Sequence, residues 1–340
     1  MPADNVTFTA MGARNFLMNY PLVRLGAGTS APPVLGALPP PPRNKGNAAQ
    51  GQGSVSGQRR VLYGTLQHDT TNPGQLTATA NGQPAALLIG SAPTTLPLFH
   101  LPYNNNENHR ITLLDKQGVG NVRFFITELV DGCSVYVEGT PHLPTVYHIN
   151  AISSRVNHFP KGVSEDQKVF FNFQLKSLVM DNRFKTDAAK PKTVANNDPT
   201  LIPARKVENQ DYMLETKTQR DAFEQTLPAL KTANRAPTHV HGQSVDFMEV
   251  RSTQGTVFGL RTPGGIWRFY VQQRVLVEYF HRLYAAPATP LQAKVWQGLR
   301  KVQPQGPSAP VITPVSLGMQ WLIRGVPEFW PGTTVGRQVA

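Results

Sequence analysis

The only cysteine of the chain and one histidine lie on two neighbouring strand-like runs. Cys133 follows a glycine and precedes the run 134–138, and His148 lies in the run 145–150. A glycine and two prolines separate the two runs. If the runs pair as a symmetric antiparallel hairpin, Cys133 faces His148, with Cβ atoms about 4.5–5.5 Å apart on one face of the sheet. The sequence therefore predicts a thiol beside an imidazole.

A thiol beside an imidazole can carry out acyl transfer. The thiolate is the nucleophile, and the imidazole can take the thiol proton and pass it to a departing amine. If the attacked group is a carboxamide, ammonia leaves and the outcome is deamidation. If it is a peptide bond the outcome is proteolysis, and if an amine replaces water the outcome is transglutamination. The residues alone leave these three open.

Two residues near Cys133 and His148 have candidate roles in catalysis. Gly132 allows a tight turn and a close approach of substrate, and backbone amides at such a turn can form an oxyanion hole. Asn150 lies two residues after His148 on the same strand face, where it either orients the imidazole or is an ordinary polar residue at a strand end. A free cysteine is also among the most buried residue types, so a space-filling Cys133 in a non-enzymatic, basic binding domain is the alternative to catalysis.

The segment 129–151 resembles the catalytic hairpin of the cysteine/histidine glutamine deamidases. This family includes the cytotoxic necrotizing factor catalytic domain and the Burkholderia lethal factor, and more distantly the chemoreceptor glutamine deamidases. Gly132 and Cys133 match the Gly-Cys end of the family's turn, and His148 falls at a spacing similar to the necrotizing-factor type. Asp131 departs from the pattern, since a serine is usual there and one extra residue precedes it.

The resemblance implies a catalytic Cys133 and His148, with no cofactor and no metal. It also implies that a main-chain carbonyl from an upstream loop orients the histidine, and the candidate loop here is 96–106. Family members are often bacterial toxins or effectors that convert one glutamine of a host protein to glutamate. By resemblance, the substrate is a host protein such as a small GTPase or a translation factor, and the chain acts in the host cytosol.

The elements that must position this pair are mostly strands. Short β-like runs bounded by glycine, proline or asparagine predict the following strands: 60–66, 85–89, 96–101, 110–114, 122–129, 244–251, 256–261 and 266–280. A capping box at Ser164 precedes a run, 169–184, that fits helix or strand. We expect a polar loop over 186–208, and helices over 211–231 and after Thr289. The fold class predicted is α+β, a central β-sandwich of mostly antiparallel strands with peripheral helices.

The pattern divides the chain into two parts. Residues 1–58 are rich in proline and glycine and predict a flexible arm, and residues 59–340 predict the catalytic domain with a C-terminal extension. The first residues lack the charged start and apolar core of a cleaved export signal, so we expect secretion or injection without one. No apolar run is long enough for a transmembrane helix.

Composition narrows the class of partner. The formal net charge of +12 favours an acidic partner, but lysine and arginine are scattered, which argues against a nucleic-acid binder. A single cysteine excludes an intramolecular disulfide and a cysteine-cluster metal site. An anionic membrane surface or a protein with an acidic face fits this composition.

Overall fold

The computed structural model describes twelve parts of the chain. They are Arg14 and residues 22–27, 53–56, 61–68, 76–81, 96–101, 107–113, 122–151, 156–188, 202–285, 311–332 and 336–338. The chain divides into two compact units. Unit 1 comprises Met1–Lys217, Thr253–Val275 and Ile323–Ala340, and unit 2 comprises Thr218–Ser252 and Leu276–Leu322.

Strands dominate the described residues. The strands are β1 (Leu22–Ala27), β2 (Gly53–Ser56), β3 (Val61–His68), β4 (Leu76–Asn81), β5 (Leu96–Leu101), β6 (Glu107–Thr112), β7 (Phe124–Val130), β8 (Ser134–Thr140), β9 (Leu143–Ile149), β10 (Ile202–Val207), β11 (His239–Val240), β12 (Gln243–Ser244), β13 (Phe247–Arg261), β14 (Trp267–Ala285), β15 (Val311–Gly325), β16 (Glu328–Trp330) and β17 (Arg337–Gln338). The helices are α1 (Glu165–Ala188), α2 (Asn209–Tyr212), α3 (Lys217–Glu224) and α4 (Leu227–Thr232).

Most of these strands join two sheets. The larger sheet has the order β1-β4-β3-β5-β7-β13-β14-β15, with β16 paired to β14. The smaller sheet has the order β17-β10-β8-β9-β6-β2, and β11 and β12 form a separate pair. Most pairings are antiparallel, and β1–β4, β2–β6 and β5–β7 are parallel.

In unit 1 the two sheets pack face to face around one apolar core. Phe125, Trp267 and Phe269 of the larger sheet belong to the same buried cluster as Val135 and Val146 of the smaller sheet. This arrangement confirms the predicted α+β fold with β-sandwich character, because two sheets each buried on one face form such a core.

Helix α1 covers the other face of the smaller sheet. Met180 and Phe184 pack on Tyr136, Tyr147 and Ile149, and the Tyr136 and Phe184 rings stack with centroids 4.5 Å apart. Strand β8 is therefore buried on both faces, and its first five residues, Ser134 to Glu138, are all buried. The strands that carry Cys133 and His148 form the middle layer of three.

The helix start was predicted correctly. Ser164 N–H donates to Gln167 Oε1 at 2.9 Å and Gln167 N–H donates to Ser164 Oγ at 3.2 Å, which is a complete capping box. The ambiguous run 169–184 is helical.

Two predicted elements were wrong. The loop predicted over 186–208 contains β10, whose charged Lys206 is buried and paired with carboxylates, so its sequence looks polar although the strand is internal. The single helix predicted over 211–231 is instead broken into short helices, and Pro228 lies in the first turn of α4 rather than at a helix end.

Some predicted elements lie outside the residues that the structure describes. The predicted strand 85–89 and the helix after Thr289 lie outside the described residues. Within the predicted arm, 1–58, the structure describes Arg14 and the strands β1 and β2, and the rest of that segment lies outside the described residues. The boundary near residue 58 stays a prediction.

Candidate functional site

The register of the β8–β9 hairpin differs from the prediction by two residues. Val135 pairs with His148 and Val137 with Val146, so the prediction that Cys133 faces His148 is wrong. The strands continue to Thr140 and Leu143, with Gly139 opposite Pro144, which makes the connecting turn tighter than expected. Register in a hairpin follows the turn, and the glycine and proline that suggested a longer loop lie within the paired strands.

Cys133 and His148 nonetheless share the inward face of the smaller sheet. Cys133 and Val135 both belong to the core between the sheets, and His148 is the direct cross-strand partner of Val135. His148 is therefore the diagonal neighbour of Cys133, and such Cβ atoms lie about 7–8 Å apart, within reach of an aromatic side chain. Both residues are buried, with 1% and 0% of their surface exposed.

The residue in direct contact with the thiol is Asn150. Its amide Nδ2 donates to Cys133 Sγ at 3.2 Å. Asn150 is 2% exposed, and its Oδ1 has no hydrogen-bond partner among the described residues. The sequence suggested that Asn150 orients the imidazole, whereas the structure places its amide on the sulfur.

Tyr212 of α2 fixes the turn before β8. The hydroxyl accepts from Gly132 N–H at 3.1 Å and donates to Cys133 O at 2.7 Å, with Asn209 Oδ1 3.3 Å away. Gly132 has φ +83°, a conformation that favours glycine, and a Cβ there would lie 2.7 Å from Nζ of the buried Lys176, so that amine would have to shift. Because Gly132 N–H already binds Tyr212, it does not serve as an oxyanion donor in this state.

Burial keeps the thiol protonated. It raises the pKa of Cys133 from 9.0 to about 12, and the negative charge of Asp131 adds to the rise. The positive charge of Lys176, a backbone hydrogen bond at Asp131 and the Asn150 hydrogen bond act in the opposite direction and are outweighed. At neutral pH the thiol carries its proton, so nucleophilic attack needs a base close to the sulfur.

A second histidine adjoins the first. His109 of β6 is the direct partner of His148 on the other side of β9, and it is also buried. Sequence reasoning missed His109 because the predicted strand began one residue later, at 110. Two histidines, an asparagine and a cysteine thus face one apolar core, and buried polar groups of this density are typical of functional sites.

The loop expected to orient His148, 96–106, is described only in part. Its first residues form β5, which pairs in parallel with β7, and residues 102–106 lie outside the described residues. Within the described parts of the chain, no group of three or more histidine, cysteine, aspartate or glutamate side chains is arranged to hold a metal ion.

The comparisons with known proteins leave the family open. No protein-family model matches the chain, and no curated protein is significantly similar to it. None of the helices that the structure describes has the length and apolar character needed to cross a membrane.

Proposed function

We propose that the chain is a protein-glutamine deamidase with Cys133 as nucleophile and His148 as acid-base residue. The observation that carries the proposal is the shared inward face of Cys133, His148 and Asn150 at one end of the β8–β9 hairpin, with an amide donor on the sulfur. This set matches the residue types that acyl transfer to a thiol requires. The resemblance of segment 129–151 to the deamidase hairpin favours a carboxamide over a peptide bond.

The reaction proceeds in two balanced steps. The sulfur of Cys133 bonds to the carboxamide carbon while the thiol proton passes to His148, and the C–N bond breaks as His148 protonates the nitrogen, which leaves as ammonia. Water then attacks the thioester, gives a proton to His148 and releases glutamate, and the thiol regains that proton. Because the resting thiol is protonated, His148 must remove its proton during attack.

The state described by the structure is a closed one. With 1% of Cys133 exposed, a glutamine side chain reaches the sulfur only after the residues over the strand ends move apart. Entry of an amide in place of the apolar cover also changes the surroundings that raise the thiol pKa. The formal net charge of +12 suits a substrate protein with an acidic face, such as a host GTPase or translation factor.

The same burial favours a second candidate. A buried, protonated cysteine in an apolar core can be purely structural, and the chain would then be a basic domain that binds an acidic protein. The two candidates differ in their dependence on the thiol and the imidazole.

The test is peptide mass spectrometry of eukaryotic lysate incubated with the purified chain, with Cys133→Ser and His148→Gln beside it. His142→Gln is the matched control, because His142 is an exposed residue in the turn of the same hairpin. We expect a Gln→Glu change at one site that both site variants abolish and the control retains. New peptide termini would turn the proposal to a protease, and lysates unchanged by a folded protein would favour the binding domain.

A further inference from the structure

Asn150 has one half of its amide engaged and the other half unsatisfied. Nδ2 donates to Cys133 Sγ at 3.2 Å, while Oδ1 has no hydrogen-bond partner in the described part of the chain. The side chain is 2% exposed, so bulk water does not satisfy the oxygen. An unpaired buried carbonyl is costly, and such groups in native structures call for a specific explanation.

The backbone of Asn150 is held from the helix side. Arg183 Nη1 of α1 donates to the Asn150 carbonyl oxygen. The residue also directly follows β9, whose last residue, Ile149, pairs with Ser134. These contacts fix the amide beside the sulfur, and a polar group held in this way is preorganised for a ligand.

We propose that Asn150 is the amide-recognition residue of the site, an inference that rests on the proposed deamidase function. Nδ2 supports the sulfur as it becomes an anion, and Oδ1 accepts an N–H from the carboxamide under attack. A carboxamide has two N–H donors, whereas the carboxylate product and a carboxylic ester have none. The same oxygen therefore selects glutamine and repels the glutamate formed, which promotes product release.

The role proposed for Asn150 does not include proton transfer. Asn150 neither gains nor loses a proton in either step, because proton transfer runs between the sulfur, His148, ammonia and water. Its two atoms act separately, one on the nucleophile and one on the leaving nitrogen. Variants that remove one atom or both should therefore separate overall thiol reactivity from preference for an amide.

The test uses two neutral alkylating probes, 2-chloroacetamide and methyl chloroacetate. Each is displaced at its CH2 by the sulfur, which forms an S–C bond and releases chloride and the thiol proton, and only the first carries amide N–H donors next to the sulfur. Since the chain has a single cysteine, the mass gain of each chain minus that of its Cys133→Ser counterpart reports alkylation of Cys133. The rate ratio of amide to ester is divided by the same ratio for glutathione, which cancels the intrinsic reactivity of the probes.

In the native chain we expect the corrected ratio to favour the amide by about 3- to 10-fold, the range that one neutral hydrogen bond provides. Asn150→Leu, which has similar size and no polar atoms, should bring the ratio to 1. Asn150→Asp keeps an acceptor oxygen but adds a negative charge beside the sulfur, so overall labelling should slow while the amide preference remains. Circular dichroism serves as the check that each variant is folded.

Three results would overturn the inference. They are a native ratio of 1, an amide preference that survives in Asn150→Leu, and a folded native chain that neither probe labels. The probes need no protein substrate, so the outcome is separate from the lysate assay. An amide preference without Gln→Glu conversion would refute the deamidase alone, and conversion without the preference would refute the role of Asn150 alone.

Discussion

Removing the hydroxyl of Tyr212 tests how the nucleophile turn is held. Tyr212 is fully buried, and its hydroxyl is the hydrogen-bond partner of both Gly132 N–H and Cys133 O. Burial raises the pKa of Tyr212 well above its ordinary value, and the negative charge of Asp131 adds to the rise, so the hydroxyl stays a donor at neutral pH. Tyr212→Phe keeps the ring and removes this bridge together with the weaker contact to Asn209 Oδ1.

The expected loss of stability follows from the two backbone groups that would lose their hydrogen-bond partner. Each hydrogen bond contributes about 1 kcal/mol net, and a buried backbone group without a partner costs about 1–3 kcal/mol. With one N–H and one C=O orphaned, we expect Tyr212→Phe to lower the free energy of unfolding by about 2–4 kcal/mol. The midpoint of urea unfolding should shift accordingly at an unchanged slope.

The assay is urea unfolding followed by tryptophan fluorescence, since Trp267 and Trp330 are fully buried in unit 1 and Trp321 lies in unit 2, which contains the control residue. Tyr279→Phe is the matched control. Tyr279 is 2% exposed and its hydroxyl has no hydrogen-bond partner among the described residues, so the same chemical change there should cost less than about 0.5 kcal/mol. Equal effects of the two substitutions would refute the assignment of Tyr212 as the clamp of the turn.

Two further substitutions test the surroundings of the site. Gly132→Ala should destabilise more than Gly162→Ala. Both glycines have positive φ, at a cost of about 1–2 kcal/mol, but only at Gly132 would the added Cβ displace a group, Nζ of Lys176 at 2.7 Å, and Lys176 is itself buried and has little room to shift. Equal unfolding midpoints would contradict the steric argument. Lys206→Met should cost about 3–5 kcal/mol at pH 7, because it leaves the buried carboxylate of Glu208, now 2.8 Å from the amine, without its cation. Burial raises the pKa of Glu208, but the hydrogen bonds and the positive charge of Lys206 lower it by more. The pKa of Glu208 therefore lies below its ordinary value of 4.5. A carboxylate whose pKa is lowered by folding stabilises the fold above its unfolded pKa, and this contribution is lost as the pH falls through its folded pKa. The difference in free energy of unfolding between the native chain and Lys206→Met should therefore shrink between pH 7 and pH 3 in urea titrations. A deficit independent of pH would argue against the ion pair.

Local sequence signals predicted the elements that carry the site. Strand-like runs predicted the strands next to Cys133 and around His148, and the capping box at Ser164 indicated where α1 begins. The strands 256–261 and 266–280 were also predicted, and in the turn between them Thr262 N–H donates to Ile266 O at 2.8 Å. These features depend on residues a few positions apart, so a single sequence contains the information needed to predict them.

The tertiary structure decided which side chains meet. Cys133 contacts Asn150 and lies diagonal to His148 because the hairpin turn is centred between Pro141 and His142, one residue later than predicted, which shifts the partner of every residue by two. Tyr212 reaches the turn from far along the chain, and His109 adjoins His148 through strand pairing. Periodicity within a strand specifies which face a residue occupies, but not the register of its neighbours or the residues that pack above it. The sequence therefore determined the chemical groups of the site, and long-range packing determined their order and the protonation of the thiol.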